Sequence, residues 1–239
     1  MAALFHTIIY QPLYNILVLL YNIVPGKDFG ISIILITVLL RAVLIPLYKK
    51  QIESQQKMQA LQPKIKALQE ATKGNKEQQT KGLMELYKEH KTNPFSGCLP
   101  LIVQLIFLIA IYRILITISS SGLVIDASQL YSFVKDPGKI NQLFISLVDL
   151  TKPSIIIAAA AAIAQYFQTK MLMGQQPKQQ TISDQPDMAQ IMSKQMLYLG
   201  PFLTLFIGIK FPAGLSLYWL TSTVFMLVQQ IMLQKKKQG

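Results

Sequence analysis

The sequence is poor in the residues most enzymes use. It has one cysteine, two histidines and one tryptophan in 239 residues, and only 11 Asp and Glu. A single cysteine, Cys98, excludes an internal disulfide framework and any Cys/His zinc site. His6 and His90 lie far apart in sequence, which argues against a metal centre or a catalytic triad. Charged residues make up 14% of the chain, against about 25% in ordinary soluble domains. A soluble metabolic enzyme is not expected on these grounds.

What is present is apolar length and positive charge. Hydrophobic residues form 51% of the chain, mean hydropathy is +0.37 and the formal net charge is +12. A helix crossing about 30 Å of hydrocarbon needs about 20 apolar residues. Five stretches approach that: Ile31–Leu47, Cys98–Ile118, Pro153–Phe167, Gln195–Ile209 and Ala213–Leu233. The third and fourth are short, reaching about 22 Å at 1.5 Å per residue, so they draw in flanking polar residues or thin the bilayer.

The loops test that count independently. With five spans, segments 48–97, 168–194 and 235–239 share one side and carry sixteen Lys against seven Asp and Glu. The other side holds Lys27, Lys135, Lys139, Lys152 and Lys210 against Asp28, Asp126, Asp136 and Asp149. Positive charge collects on the cytoplasmic side, so the expected topology has the N-terminus outside and the C-terminus inside. Four spans would break this alternation.

Residues 1–24 place Thr7, Gln11, Asn15 and Asn22 in a polar stripe at helical spacing, opposite Phe5, Ile9, Leu13, Ile16 and Leu20. No basic leader or cleavage site marks a signal peptide. The expectation is an amphipathic helix on the outer membrane surface, kinked at Pro12; the alternative is a sixth span. Residues 49–91 read as two helices broken at Thr72–Lys76. Met58, Leu61, Ile65 and Leu68 line one helix, and Leu83, Leu86 and Tyr87 the other. Their narrow stripes suit an antiparallel cytoplasmic hairpin, bent at Pro63; the alternative is a solvated loop that only sets topology. The Gln-rich stretch Gly174–Asp187 reads as a flexible connector. Residues 119–152 are external, with turns at Ser119–Gly122 and Pro137-Gly138, and with apolar patches at Leu130–Val134 and Leu143–Leu150 resting on the membrane.

The fold class is therefore an all-α membrane protein: five transmembrane helices, an N-terminal interfacial amphipathic helix and a cytoplasmic helical hairpin. The expected parts are an external helix (1–28), a first span (29–48), the hairpin (49–97), a second span (98–118), an external loop (119–152), a third span (153–170), a cytoplasmic loop (171–194), the fourth and fifth spans (195–234) and a basic tail (235–239).

Arg41 stands inside ISIILITVLLRAVLIPL. Arginine near a helix centre costs about 3 kcal/mol on insertion scales, and its charge cannot be shed. Either it snorkels to the headgroups past Leu47, about 9 Å along the helix, or it faces a hydrated cavity. No span supplies an Asp or Glu to neutralise it. The spans instead carry isolated polar groups: Thr37, Gln104, Gln165, Ser216 and the Tyr218-Trp219 pair. These are most easily satisfied around one wet pocket, which favours the cavity. Thr37 lies one turn before Arg41 on the same face. A cationic cavity attracts an anion, whether a small molecule or a carboxylate of a passing polypeptide. No phosphate loop, nucleophile–base pair or carboxylate dyad appears within the spans, so neither enzymatic chemistry nor a cofactor is expected.

Three motifs carry a family resemblance: Phe29-Gly30 followed by ISIILITVLLRAVLIPL with KMQALQPKIKALQ downstream, KTNPFSGCLPLIVQLIFLIAIYRIL (91–115), and FPAGLSLYWLTSTVFMLVQQ (211–230). In that order they resemble the YidC/Oxa/Alb membrane protein insertases, over residues 4 to 234. The resemblance implies a bacterial plasma-membrane protein with a hydrophilic groove open to cytoplasm and lipid. Its intramembrane arginine matches Arg41, with Gln104, Gln165 and Trp219 at groove positions; Thr37 and Ser216 join the candidate groove from the polar pattern of the spans. It also implies ATP-independent insertion, with nascent membrane proteins, the bilayer, the ribosome and a Sec translocon as partners, and no direct nucleic-acid binding. Against the family's pattern, the sequence shows no large external domain and closes on KKKQG, so dependence on either a large domain or a long basic tail is not expected. Cys98 in the GCLP motif reads as a small buried thiol. The competing classes are a small-anion transporter or channel subunit, disfavoured by the lack of paired broken helices, and a scaffold acting through its hairpin.

Overall fold

The structure is a computed structural model, and it describes residues 2–93, 99–173 and 188–238. Cys98, the Gly174–Asp187 connector and the last residue of the tail lie outside the described residues. The chain divides into two compact units. One comprises 2–43, 106–173 and 188–238, and the other 44–93 and 99–105. Nine α-helices are described: α1 (Ala2–Phe5), α2 (Gln11–Ile23), α3 (Phe29–Val43), α4 (Ile45–Ala71), α5 (Lys76–Glu89), α6 (Leu99–Ser120), α7 (Ile155–Met173), α8 (Met188–Gly208) and α9 (Ala213–Gln238). Four helices are long and apolar enough to cross a membrane: Ala3–Ile23, Ile102–Ser120, Ile155–Leu172 and Ala213–Leu233. A fifth span arises if α3 and the start of α4 count together.

Several boundaries differ from those read in the sequence. The first apolar helix ends at Val43 instead of continuing to Leu47. The helix restarts at Ile45 with Pro46 in its first turn, where proline's missing N–H costs no bond. Upstream of Pro12, residues His6–Tyr10 form a π turn between α1 and α2, which widens the helix in place of a sharp break. Helix α7 is 19 residues long, enough for about 28 Å. The short-span argument therefore passes to α8, whose apolar part is confined to Leu197–Gly208.

In the first unit the core is built on Tyr14, Tyr21, Ile33, Ile114, Ile118 and Tyr218, contributed by α2, α3, α6 and α9. Helices α3 and α9 run parallel: a side chain at Gly214 would meet Ile33, and eight residues further along both helices Arg41 meets Ser222. Helix α7 packs on both α8 and α9. At Gly208 a Cβ would lie 2.6 Å from the Ala158 Cβ and 3.2 Å from its Cα. Only glycine permits that approach of α7 and α8.

The segment joining α6 to α7 is folded onto α2. Two short antiparallel strands, β1 (Leu143–Phe144) and β2 (Val148–Asp149), pair Leu143 with Asp149 and Phe144 with Val148. Their turn is held by Asp28. One carboxylate oxygen accepts from the Ile145 amide at 2.6 Å, while the other caps α3 by accepting from the Ile31 amide at 3.0 Å. Later in the segment, the carbonyls of Leu150 and Lys152 accept from the amides of Gly214 and Ala213, satisfying orphan donors at the start of α9. The apolar patches assigned to this segment split in two. Val134 and Leu150 enter the core, whereas Phe133 and Leu147 are exposed.

Phe144 also explains the Phe29-Gly30 pair. A Cβ at Gly30 would fall 2.6 Å from Phe144 Cγ and 2.8 Å from its Cβ, too close for the ring's rigid base to yield. Gly30→Ala is expected to destabilise the first unit by about 1–3 kcal/mol through overpacking. Thermal unfolding in detergent checks this, and Phe144→Ala should restore part of the loss.

Gln11, Asn15 and Asn22 of the polar stripe on the N-terminal helix bond to protein, while Thr7 is exposed. The buried Asn15 side chain donates to the Gln129 carbonyl at 2.9 Å and accepts from the Tyr131 amide at 2.6 Å. Asn22 donates to the Lys135 carbonyl at 2.7 Å. The Tyr14 and Tyr21 hydroxyls accept from the amides of Asp126 and Asn141, each at 2.8 Å.

In the second unit, Leu68 lies against Gly82 and Lys64 Nζ is 2.8 Å from His90 Nε2. Those two pairings make α4 and α5 antiparallel. The turn between them contains Gly74 at φ +96°, and Asn75 caps α5 by accepting from the Gln78 amide at 3.1 Å. Leu61 and Ile65 of the expected stripe are buried. Helix α4 continues through Pro63 without interruption.

Candidate functional site

Arg41 lies in the last turn of α3, half-buried, and donates through Nε and Nη2 to the Ser222 hydroxyl on α9, 2.9 Å from Nε. The Tyr218 hydroxyl, one turn earlier on α9, also bonds Ser222 and lies in the field of Arg41. The parallel register of α3 and α9 puts these groups at one level. None of α2, α3, α6, α7, α8 or α9 contains an Asp or Glu.

The other residues singled out in the sequence separate into distinct roles. Thr37, fully buried, donates to its own helix at the Ile33 carbonyl, 2.6 Å away. Its hydroxyl is spent locally, as is usual for threonine in apolar helices. Gln165 of α7 accepts from the Thr204 hydroxyl of α8, with its Nε2 beside Gly200. That amide joins two helices in the manner of polar residues at lipid depth. Ser216 is 3% exposed with its Oγ near Gly208, and has no hydrogen-bond partner among the described residues. Trp219 is half-buried on α9, three residues before Ser222. Gln104 is on α6 within the second unit.

Ser222, Thr204 and Gln230 were not singled out from the sequence. Gln230 is 1% exposed, and neither its oxygen nor its nitrogen has a partner among the described residues. The signal for this group was the polar pair Ser222-Thr223 and the pair Gln229-Gln230 in an otherwise apolar run. Hydroxyls alone do not reveal whether they bond their own helix or a neighbour's. Among the described residues no three His, Cys, Asp or Glu side chains could hold a metal.

An all-α chain with several helices apolar enough to cross a membrane and a basic helical hairpin defines a multi-pass membrane protein. The family model described as 60Kd inner membrane protein matches residues 19–239, and the chain belongs to that family, placing it in the inner membrane. It is 34% identical over 210 residues to a membrane protein insertase YidC of Fusobacterium nucleatum, covering 87% of both chains. It is also 34% identical to the insertase YidC of Streptomyces avermitilis over 222 residues, covering 86% of this chain and 51% of that one. Similarity to the insertase MisCA of Bacillus subtilis is 32% over 213 residues, covering 87% and 71%. The chain thus spans about half the length of the Streptomyces relative.

Proposed function

We propose that this protein inserts nascent membrane proteins into the bilayer, without ATP, through a cationic groove centred on Arg41. The observation that carries the reading is a half-buried guanidinium in the last turn of α3 that donates to Ser222 of α9, so a permanent charge sits where two apolar helices meet. Ser222 and Tyr218, both buried, and half-buried Trp219 lie on α9 at or near its level, and buried Thr37 lies one turn away on α3. Gln165 ties α7 to α8 through Thr204, and buried Ser216 stands at the contact of α9 with Gly208 of α8. Gln104, in the second unit, enters on family likeness alone.

A substrate with one span must carry a short polar end across hydrocarbon. A wet groove halfway through removes much of that desolvation cost, and the guanidinium attracts acidic residues in the crossing end. The short apolar part of α8 thins the barrier that remains. The substrate's own helix then partitions into lipid, which drives the process. In this scheme the N-terminus is outside, the α4–α5 hairpin and the C-terminus are cytoplasmic, and the N-terminal helix lies at the outer interface.

The test is reconstitution into liposomes without nucleotide, supplied with a small single-span substrate. Protease-protected insertion supports the reading; anion flux without insertion would replace it with a transporter, and neither would leave a scaffold. A chain lacking residues 53–88 is expected to keep its membrane core, by circular dichroism, and to insert several-fold less. Full insertion would reduce the hairpin to a topology signal.

A further inference from the structure

Arg113 is the second arginine of the chain, and the groove does not use it. It lies on α6 between Ile109 and Ile116, at spacings of four and three, so the three share one exposed face of an apolar helix. A charge there is costly unless something at lipid depth rewards it. Its guanidinium stands 5.6 Å from the centre of the Phe5 ring, and it opens onto a cleft of about 390 Å³ between the N-terminal helix, α6 and the segment after α6. That volume suits a small polar ligand.

The lining of the cleft is chemically mixed. It includes Arg113 and His6, whose ring stacks on Tyr10 at 5.1 Å, with Tyr10 and Thr117 hydroxyls 3.5 Å apart. His6 and Tyr10 are presented by the π turn, a distortion that recurs at functional sites. It also includes Asp126 and Gln129. Gln129 is fixed through its carbonyl, which accepts from Asn15 and Gln11. Its side-chain oxygen is nevertheless buried with no hydrogen-bond partner among the described residues. A buried acceptor left open costs free energy, and a water or a ligand donor entering the cleft would satisfy it.

We propose that this cleft binds one phospholipid whose head group carries a hydrogen-bond donor beyond its phosphodiester, as an ethanolamine or glycerol head group does. Arg113 takes the phosphate, a match its planar fork suits. Gln129 Oε1 takes the ammonium or hydroxyl donor, with the Asp126 carboxylate nearby adding attraction. The acyl chains follow the exposed face at Ile109 and Ile116. The inference rests on the first unit's geometry and on its membrane location, and stands apart from the groove.

Native mass spectrometry of the full chain in detergent tests it, with lipids of identical acyl chains. Phosphatidylethanolamine is expected to be retained about fivefold better than phosphatidylcholine, whose quaternary head lacks a donor. Diacylglycerol should not be retained, and soluble glycerophosphoethanolamine should not compete. Arg113→Ala should lower retention of both phospholipids about tenfold, with Arg113→Lys intermediate. Gln129→Leu should erase the preference for ethanolamine while leaving phosphatidylcholine unchanged. Full retention by Arg113→Ala, or equal retention of diacylglycerol, would show Arg113 to be merely a snorkelling side chain and overturn the proposal. Equal competition by the soluble head group would make the ligand a free phosphodiester and overturn the lipid assignment. If Arg113→Ala does not fold, the lipid preference of Gln129→Leu decides, and an unchanged preference refutes the site.

Discussion

Arg41→Ala should reduce insertion of a substrate with an acidic translocated end about tenfold, and of a neutral one much less. A charge-assisted hydrogen bond contributes roughly 1.5–3 kcal/mol, and about 1.4 kcal/mol is already a factor of ten. The reduction is selective because alanine leaves the apolar helix and its packing on α9 in place while removing the only charge at that level of α3. Arg41→Lys should fall between the two. It keeps the positive charge but replaces a fork that gives Ser222 two donors with a single ammonium. The measurement is protease protection in proteoliposomes, with substrates differing only at one or two acidic residues. Equal losses for acidic and neutral substrates would remove electrostatic capture from the mechanism. Water access is checked separately by thiol labelling of a cysteine placed at position 41, the native Cys98 first being replaced by serine.

Asn15→Leu is expected to produce the largest loss of stability of any single substitution considered, about 3 kcal/mol. Three hydrogen bonds end on this amide: two given, to the carbonyls of Gln11 and Gln129, and one received from the Tyr131 amide. Leucine adds apolar volume at a site that is 2% exposed. It strands the Tyr131 N–H and weakens the tie between the N-terminal helix and the segment after α6. At about 2–4 °C per kcal/mol for a chain of this size, the thermal midpoint in detergent should fall by roughly 9 °C. Asn22→Leu is the control. It removes one exposed bond to Lys135 and should shift the midpoint by no more than about 3 °C. Comparable shifts for the two variants would show that the stripe is a solvated face.

Much of the architecture was legible because membrane spans are one-dimensional objects. Apolar length and flanking charge marked α6, α7 and α9. The Thr72–Lys76 break, with glycine and an asparagine cap, marked the α4–α5 turn. Proline was misleading as a local signal. Pro63 sits inside an unbroken α4, and near Pro12 the chain distorts one turn earlier than the ring itself. A helix absorbs a missing donor by bending or widening its neighbouring turns, so the position of the distortion is set by packing. The candidate site was legible in part. Arg41 was conspicuous because arginine is rare in hydrocarbon. Ser222 was not, because a serine in an apolar helix is common and nothing local says what it bonds.

The sequence by itself determined an all-α membrane protein with a basic helical hairpin and with Arg41 set in an apolar run. Transfer free energies add residue by residue, and they need no knowledge of neighbours. Only the tertiary structure decided that Arg41 meets Ser222 across 181 positions, that Phe144 fills the space left by Gly30, and that the polar stripe of the N-terminal helix grips backbone instead of water. A short polar side chain can bond to its own helix, to solvent or to a distant strand at similar cost, and the choice belongs to whichever partner the packing brings within 3 Å.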